Sequence, residues 1–344
     1  MKKIIDKKIT AIIFAILAAV FYAFNMPGSK LLLKDVQPTF MASFLYLGAG
    51  IGIGIIYFIG TISHRIDEEK LSRKDFPYAV GMVVLDIAAP IFLMIGLSSA
   101  TSSNASLLNN FEIVATSLIA LLVFKEVISF RLWIAILLIT VSSLLLSFED
   151  LSSLTFSYGS AFILAAALCW GLENNCTRKI SSKSTFQIVL LKGIFSGLGS
   201  LLVALIRGEE FPHLRYVAYA LLLGFVAYGL SIFLYVRAQK ELGAAKTSAY
   251  YAIAPFIGTL FSFLILREAI TGNYVVALII MIAGSVLVAV DTIKTSHTHM
   301  HTHTFVHTHD GNTHNHLVEH SHTHDHFASK RKHSHRHEDE EREE

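Results

Sequence analysis

The sequence predicts an all-α membrane protein: ten transmembrane helices forming two inverted five-helix repeats, then a disordered histidine-rich tail. Three observations predict it. Roughly the first 290 of 344 residues divide into ten long apolar segments. The second five segments reproduce features of the first five. The last fifty or so residues carry 15 of the 17 histidines.

Composition supports the first observation. Hydrophobic residues make up 53% of the chain, charged residues 16%, and the mean hydropathy is +0.55. A soluble domain carries about 25% charge. Here much of the charge lies in the tail and in a few short links, so the body is more apolar still. A spanning helix needs about 20 mostly apolar residues. Ten such segments fall at 9–27, 38–61, 76–98, 102–124, 130–148, 157–177, 186–206, 214–237, 244–266 and 272–292. Pro38, Asp75, Gly208 and Gly272 mark several of the boundaries. Barrel strands run about 10 residues with alternating polarity, and these segments are longer and apolar on all sides. The first has basic residues ahead of it, like a signal peptide, but it is long and no small-residue cleavage site closes it. It reads as a retained span. Cys169 and Cys176 are seven apart on one helix face and cannot bridge each other.

Lys and Arg accumulate on the cytoplasmic side of membrane proteins. With the N-terminus inside, the inner links and termini hold 17 of them and the outer links hold 5. This predicts a multi-pass protein of the cytoplasmic (inner or plasma) membrane with both termini in the cytoplasm.

The repeat is visible residue by residue. Lys125-Glu126-Val127-Ile128-Ser129 closes the fourth segment and Arg267-Glu268-Ala269-Ile270-Thr271 closes the ninth, at an offset of 142 residues. The second segment carries Gly48, Gly50, Gly52 and Gly54; the seventh carries Gly193, Gly197 and Gly199. Ile91-Phe92-Leu93 recurs as Ile232-Phe233-Leu234, and Asn25 to Lys30 matches Asn174 to Lys179 in its asparagine and lysine. Five helices per unit is an odd number, so the second unit enters the membrane upside down. Inverted repeats of this kind place a site near the midplane and expose it to each side in turn. The expected units are 1–150, 151–293 and a tail at 294–344.

The stretch from Thr101-Ser102-Ser103-Asn104-Ala105-Ser106 to Lys125-Glu126 resembles drug/metabolite transporters with two EamA repeats, as does that from Gly243-Ala244-Ala245-Lys246-Thr247-Ser248 through Pro255 to Arg267-Glu268. Trp170-Gly171-Leu172-Glu173-Asn174-Asn175, with Arg178-Lys179-Ile180-Ser181, resembles members that also have histidine-rich C-termini. The resemblance covers residues 9–292. It implies a ten-helix transport fold and leaves the substrate open. One departure stands out: the proline at Pro255 has Ile113 at its equivalent in the first half, preceded by Glu112.

Ionisable residues inside a bilayer cost about 2.5–3.5 kcal/mol each on insertion scales and mark pathways by default. Asp86 and Glu112 lie near the middle of the third and fourth segments, and Glu173 and Lys192 lie toward the inner ends of the sixth and seventh. Asp86 and Glu112 are expected to face a central cavity as a carboxylate pair without a basic partner, which suits proton coupling or a cationic substrate. Glu173 and Lys192, at similar depth, form a natural ion pair. Asn109 shares a helix face with Glu112, and Asn174 adds polarity to the sixth segment. These six residues are the expected substrate and coupling-ion pathway. Pro90 and Pro255 each remove a helical hydrogen bond.

From Ser296 the composition changes. His297, His299, His301, His303, His307, His309, His314, His316, His320, His322, His324, His326, His333, His335 and His337 alternate with polar residues. Neutral imidazole suits Zn, Ni, Co and Cu. The spacing differs from that of a closed structural zinc site, so several weak, interchangeable sites are expected. No cofactor is required.

The resulting expectation is a secondary active transporter of a small metabolite with a metal-binding regulatory tail. The alternatives are a divalent transition-metal or metal-chelate transporter and a non-transporting metal sensor. The expected partners are a small-molecule substrate, the lipid bilayer and transition-metal ions, on a monomer or homodimer. The spans contain no nucleophile–base pair, no HExxH-type zinc motif and no phosphate-cradling glycine loop, which argues against an enzyme. The basic residues follow membrane topology and form no nucleic-acid patch.

Overall fold

The computed structural model describes residues 2–62, 71–124, 128–150, 155–180, 183–242, 247, 250–309 and 312–327. The chain divides into two units, Met1–Ala289 and Val290–Glu344.

The first unit is a bundle. Its first half holds α1 (Lys2–Ala23), α2 (Asn25–Leu32), α3 (Pro38–Ile62), α4 (Phe76–Ser99), α5 (Ser102–Leu108), α6 (Phe111–Phe124) and α7 (Phe130–Ser147). A short antiparallel pairing of β1 (Phe148–Asp150) with β2 (Thr155–Phe156) leads into the second half. There follow α8 (Tyr158–Ile180), α9 (Thr185–Leu191), α10 (Gly197–Ile206), α11 (Leu214–Gly224), α12 (Ser231–Leu242), α13 (Ala254–Leu266) and α14 (Gly272–Ile293). Wide π-type turns at Lys192–Ser196 and Phe225–Leu230 join α9 to α10 and α11 to α12.

Local chemistry sets the ends. Proline opens α3 and stands at the start of α4, where a missing N–H is harmless. Thr101 caps α5 and Ser129 caps α7, each accepting a backbone N–H three residues on. Arg267 closes α13 in the left-handed region, at φ 54°.

Eight segments among the described residues are long and apolar enough to cross a bilayer. They match eight of the ten expected spans. The sixth expected span is α8, 23 residues long but made more polar by Glu173 to Lys179 at its end. The ninth is represented by α13, 13 residues long. The preceding Gly243 to Lys246, like Lys125 to Val127 of the matching motif, lies outside the described residues.

The polarity of the body is inverted relative to a water-soluble protein. Phe58, Leu122, Leu264 and Ile279 are largely exposed, whereas Asn25, Ser43, Asp86 and Glu173 are buried. Lipid is the solvent that accounts for this arrangement.

Packing between the halves follows one rule. α1 packs on α12, and α4 packs on α8; α1 packs on α13, and α6 packs on α8. Each contact turns into its counterpart when the halves are exchanged. The α3 contacts with α10 and the α5 contacts with α13 are their own counterparts. This is the pattern that an internal repeat about a two-fold axis requires.

Lys294–His309 (β3) and Asn312–Phe327 (β4) pair antiparallel, with Lys294 opposite Phe327 and His309 opposite Asn312. The alternation of histidine with β-branched threonine has the period of two that suits a strand. His333, His335 and His337 lie outside the described residues, and the other tail histidines are described by backbone alone.

Candidate functional site

Lys192 is the hub of a charged cluster inside the bundle. It begins the π-type turn before α10, and that turn packs against α3 and α4. Wide turns of this kind recur at functional sites because they re-aim one side chain without ending the helix. Lys192 Nζ donates to Glu173 Oε1 on α8 at 2.9 Å and lies 3.3 Å from Asp86 Oδ2 on α4. Glu173 Oε1 also accepts from Thr177. Asp86 Oδ1 accepts from the Tyr46 hydroxyl of α3 at 2.9 Å. Asp86 and Glu173 side chains are 0% and 2% exposed, against 18% for Lys192, so the lysine is the least buried of the three.

The expected Glu173–Lys192 pair is therefore present. Asp86 departs from expectation, because it has a basic partner. Lys192 reaches α4 as well as α8, since α4 and α8 pack side by side and the π-type turn meets α4. Glu112 stands apart from this cluster. Its Oε1 accepts from Asn174 Nδ2 at 2.6 Å, and the same nitrogen lies 3.3 Å from Thr116 Oγ1. Glu112 thus pairs with the amide of Asn174, and the nearest partners of Asp86 are Lys192 and Tyr46.

A row of tyrosines extends from the cluster. Trp170 Nε1 donates to the Tyr46 hydroxyl at 3.4 Å. The Tyr46 and Tyr228 rings lie 5.4 Å apart, Tyr228 and Tyr22 5.9 Å, and Tyr22 and Tyr251 5.9 Å. Asn25 Nδ2 donates to Tyr228 at 3.0 Å and Asn109 Nδ2 to Tyr22 at 3.2 Å. Hydropathy does not single these rings out, because an aromatic residue in an apolar run reads the same toward lipid or toward a cavity. The asparagines were the available signal: Asn25 and Asn174, matched in the repeat, both donate to a buried polar group.

One end of the bundle is fastened by charged side chains. Glu268 accepts from the backbone N–H of Ser102 at 2.6 Å and of Ser103 at 2.9 Å, closing the start of α5. Glu209 does the same for Thr39 and Phe40 at the start of α3. Lys30 Nζ donates to the carbonyls of Leu97 and Ala100 at the end of α4. A charged cap satisfies orphan backbone groups and matches the helix dipole. Both carboxylates come from the second half and grip the first. Glu268→Ala is expected to cost about 0.5–2 kcal/mol of stability and to loosen this end. Thiol labelling of Ser103→Cys, in a background lacking Cys169 and Cys176, should accelerate in that variant. Equal labelling rates would mean that the contact fastens nothing.

A two-fold helical bundle facing lipid, with ionic groups sealed in its middle, defines a membrane transporter fold. The EamA-like transporter family model matches residues 9–148 and 157–290, and the chain belongs to that family. An uncharacterized transporter of Methanothermobacter thermautotrophicus is 26% identical over 296 residues, covering 81% of this chain and 85% of the relative. One from Clostridium kluyveri is 23% identical over 289 residues, covering 80% and 91%. A solved crystal structure overlaps with a TM-score of 0.58 at 15% identity, covering 80% of this chain and 94% of its own, a likeness of fold alone. The protein is a multi-pass membrane transporter and not an enzyme.

Proposed function

We propose that the protein is a secondary active transporter that moves a small metabolite across the cytoplasmic membrane by alternating access, with both termini in the cytoplasm. The observations that carry this reading are the buried cluster of Lys192, Asp86 and Glu173 and the separate Glu112–Asn174 pair, both at contacts between the two halves. Ionic groups are retained in a membrane interior at a cost of several kcal/mol when they serve a pathway. Asp86, Glu112, Asn109, Glu173, Asn174 and Lys192 form that pathway. The caps at Glu268 and Glu209 hold the outer end closed in this conformation, and rocking of one half on the other opens it.

The tail binds Zn, Ni, Co or Cu through its histidines and adjusts transport to metal supply. The density of imidazole also favours a second reading, in which a transition metal or its chelate is the cargo and the tail buffers it.

The test is flux of a substrate panel into proteoliposomes, with and without Zn²⁺ or Ni²⁺. Asp86→Asn and Glu112→Gln are expected to lower flux at least tenfold and to flatten its pH dependence. Truncation after Ile293 is expected to keep flux and abolish its response to metal. If truncation instead changes metal uptake directly, metal is the cargo. Wild-type rates and pH profiles in both carboxylate variants would end the pathway assignment.

A further inference from the structure

The fourth and ninth spans are both interrupted inside the bundle. Asn109 and Asn110 form a turn between α5 and α6, and Ala252 and Ile253 form one just before α13. Shifted by the repeat offset of 142, Asn110 falls on Ala252. Discontinuous helices at equivalent positions of two repeats are where transporters hold ions and substrates. Helix ends alone do not make a site, and here there is a further observation.

A narrow cavity lies between the two interruptions and the first span. Tyr22, Met26, Ser106, Asn109, Pro255 and Gly258 are among its walls, and it has room for about one water-sized guest. Ser106 is 2% exposed and Asn109 6% exposed. Ser106 Oγ and Asn109 Oδ1 have no hydrogen-bond partner among the described residues. Buried polar atoms left in this way cost about 1–3 kcal/mol each, so two lining one cavity point to a guest.

The cavity's chemistry selects the guest. One N–H of Asn109 Nδ2 donates to the Tyr22 hydroxyl, and its Oδ1 is the atom left without a partner among the described residues. The start of α13 has few donors to give. Pro255 has no N–H, and those of Phe256 and Ile257 go to the Ile253 carbonyl. Pro255 also leaves the Tyr251 carbonyl without its usual helical donor. The two unpartnered atoms in this otherwise largely apolar lining are therefore both oxygens. The surrounding charge has the matching sign. Among the described residues the spans hold the carboxylates Asp86, Glu112 and Glu173, and Lys192 contacts only the first and third of them. Glu112 lies within electrostatic reach of Tyr22.

We propose that this cavity is a binding site for a small monovalent cationic group, coordinated by Asn109 Oδ1, Ser106 Oγ and the Tyr22 hydroxyl at the paired breaks in the fourth and ninth spans. Oxygen ligands at helix breaks suit Na⁺, and an ammonium head is the other source of the same chemistry. The ion's role in coupling rests on the transporter reading; its binding does not.

Thermal unfolding of the full-length protein in detergent tests this without any flux measurement. NaCl, KCl, ammonium chloride and methylammonium chloride are titrated at constant ionic strength against N-methylglucamine chloride. A saturable rise in Tm with Na⁺ is expected, with the half-saturating concentration at least tenfold higher in Asn109→Ala and in Ser106→Ala. Ser285→Ala, which removes another unpartnered buried hydroxyl away from the cavity, should respond as wild type does. A rise with ammonium and methylammonium but not Na⁺, weakened by the same variants, assigns the site to the amine head of the cargo. Should Asn109→Ala fail to fold, Ser106→Ala carries the comparison, since it deletes one unbonded oxygen. No saturable rise with any of these cations, or a rise untouched by Ser106→Ala, overturns the proposal and leaves the cavity to water.

Discussion

Lys192→Met is expected to destabilise the protein by about 3–5 kcal/mol and to abolish transport. Lys192 is the shared cation of two carboxylates, at 2.9 Å from Glu173 and 3.3 Å from Asp86. Removing it strands two negative groups where water cannot reach them. Asp86 Oδ2 has no hydrogen bond to fall back on, and Asp86 keeps only the Tyr46 hydroxyl on its other oxygen. Truncating one partner of a buried pair is the costly case, whereas replacing the whole set with neutral groups is often tolerated. The triple variant Lys192→Met, Asp86→Asn, Glu173→Gln should therefore recover most of the stability while flux stays lost. Stability is read from unfolding midpoints in detergent, and flux from proteoliposomes. Wild-type stability in Lys192→Met would show that the charges are not held as a unit. Recovered flux in the triple variant would show that they serve structure alone.

The second large effect is expected at the glycine seam. α3 meets α10, α11 and the turn before α10 with backbone against backbone. A Cβ on Gly50 would stand 2.7 Å from the Ile194 nitrogen, and one on Gly197 2.8 Å from the Leu47 nitrogen. A Cβ on Gly48 would meet the Leu221 carbonyl oxygen, and one on Gly224 the Leu45 carbonyl oxygen. Main chain stands within 3 Å in each case, and it cannot turn aside as a side chain can. Gly50→Ala and Gly224→Ala should each cost about 1–3 kcal/mol through overpacking and lower flux by forcing the two backbones apart. Small residues drive such close approaches in lipid, where burial of apolar surface offers little. Gly272→Ala is the control, since nothing lies within 4 Å of a Cβ there. A seam variant that matches this control in stability and flux would remove the close approach from the account.

The repeat and the site were legible to different depths. The glycines of the second and seventh segments were visible as a recurrence, and they turned out to face each other: a Cβ on Gly50 would stand 3.0 Å from the Gly193 Cα. The Glu173–Lys192 pair was legible because both groups stood out in apolar runs at similar depth. The link from Lys192 to Asp86 was not. It depends on which side of α4 faces α8, and a helix that is apolar all round gives no periodic cue to its facing. The Glu268 cap was half legible. The motif at Arg267-Glu268 recurs in the repeat, but its partners at Ser102 and Ser103 lie more than 160 residues away.

By itself the chain determined that it crosses lipid in two similar halves, because the length and hydropathy of each segment are set residue by residue. It also determined that charge is placed at a few depths within them. Only the tertiary structure decided which charges meet: Asp86 with Lys192, Glu112 with Asn174, and Asn109 with Tyr22. The reason is that depth along a helix is a one-dimensional property of sequence. Rotation about the helix axis is chosen by packing against neighbours far away in the chain, and in a bilayer that packing rests on shape and polar fit more than on hydrophobicity.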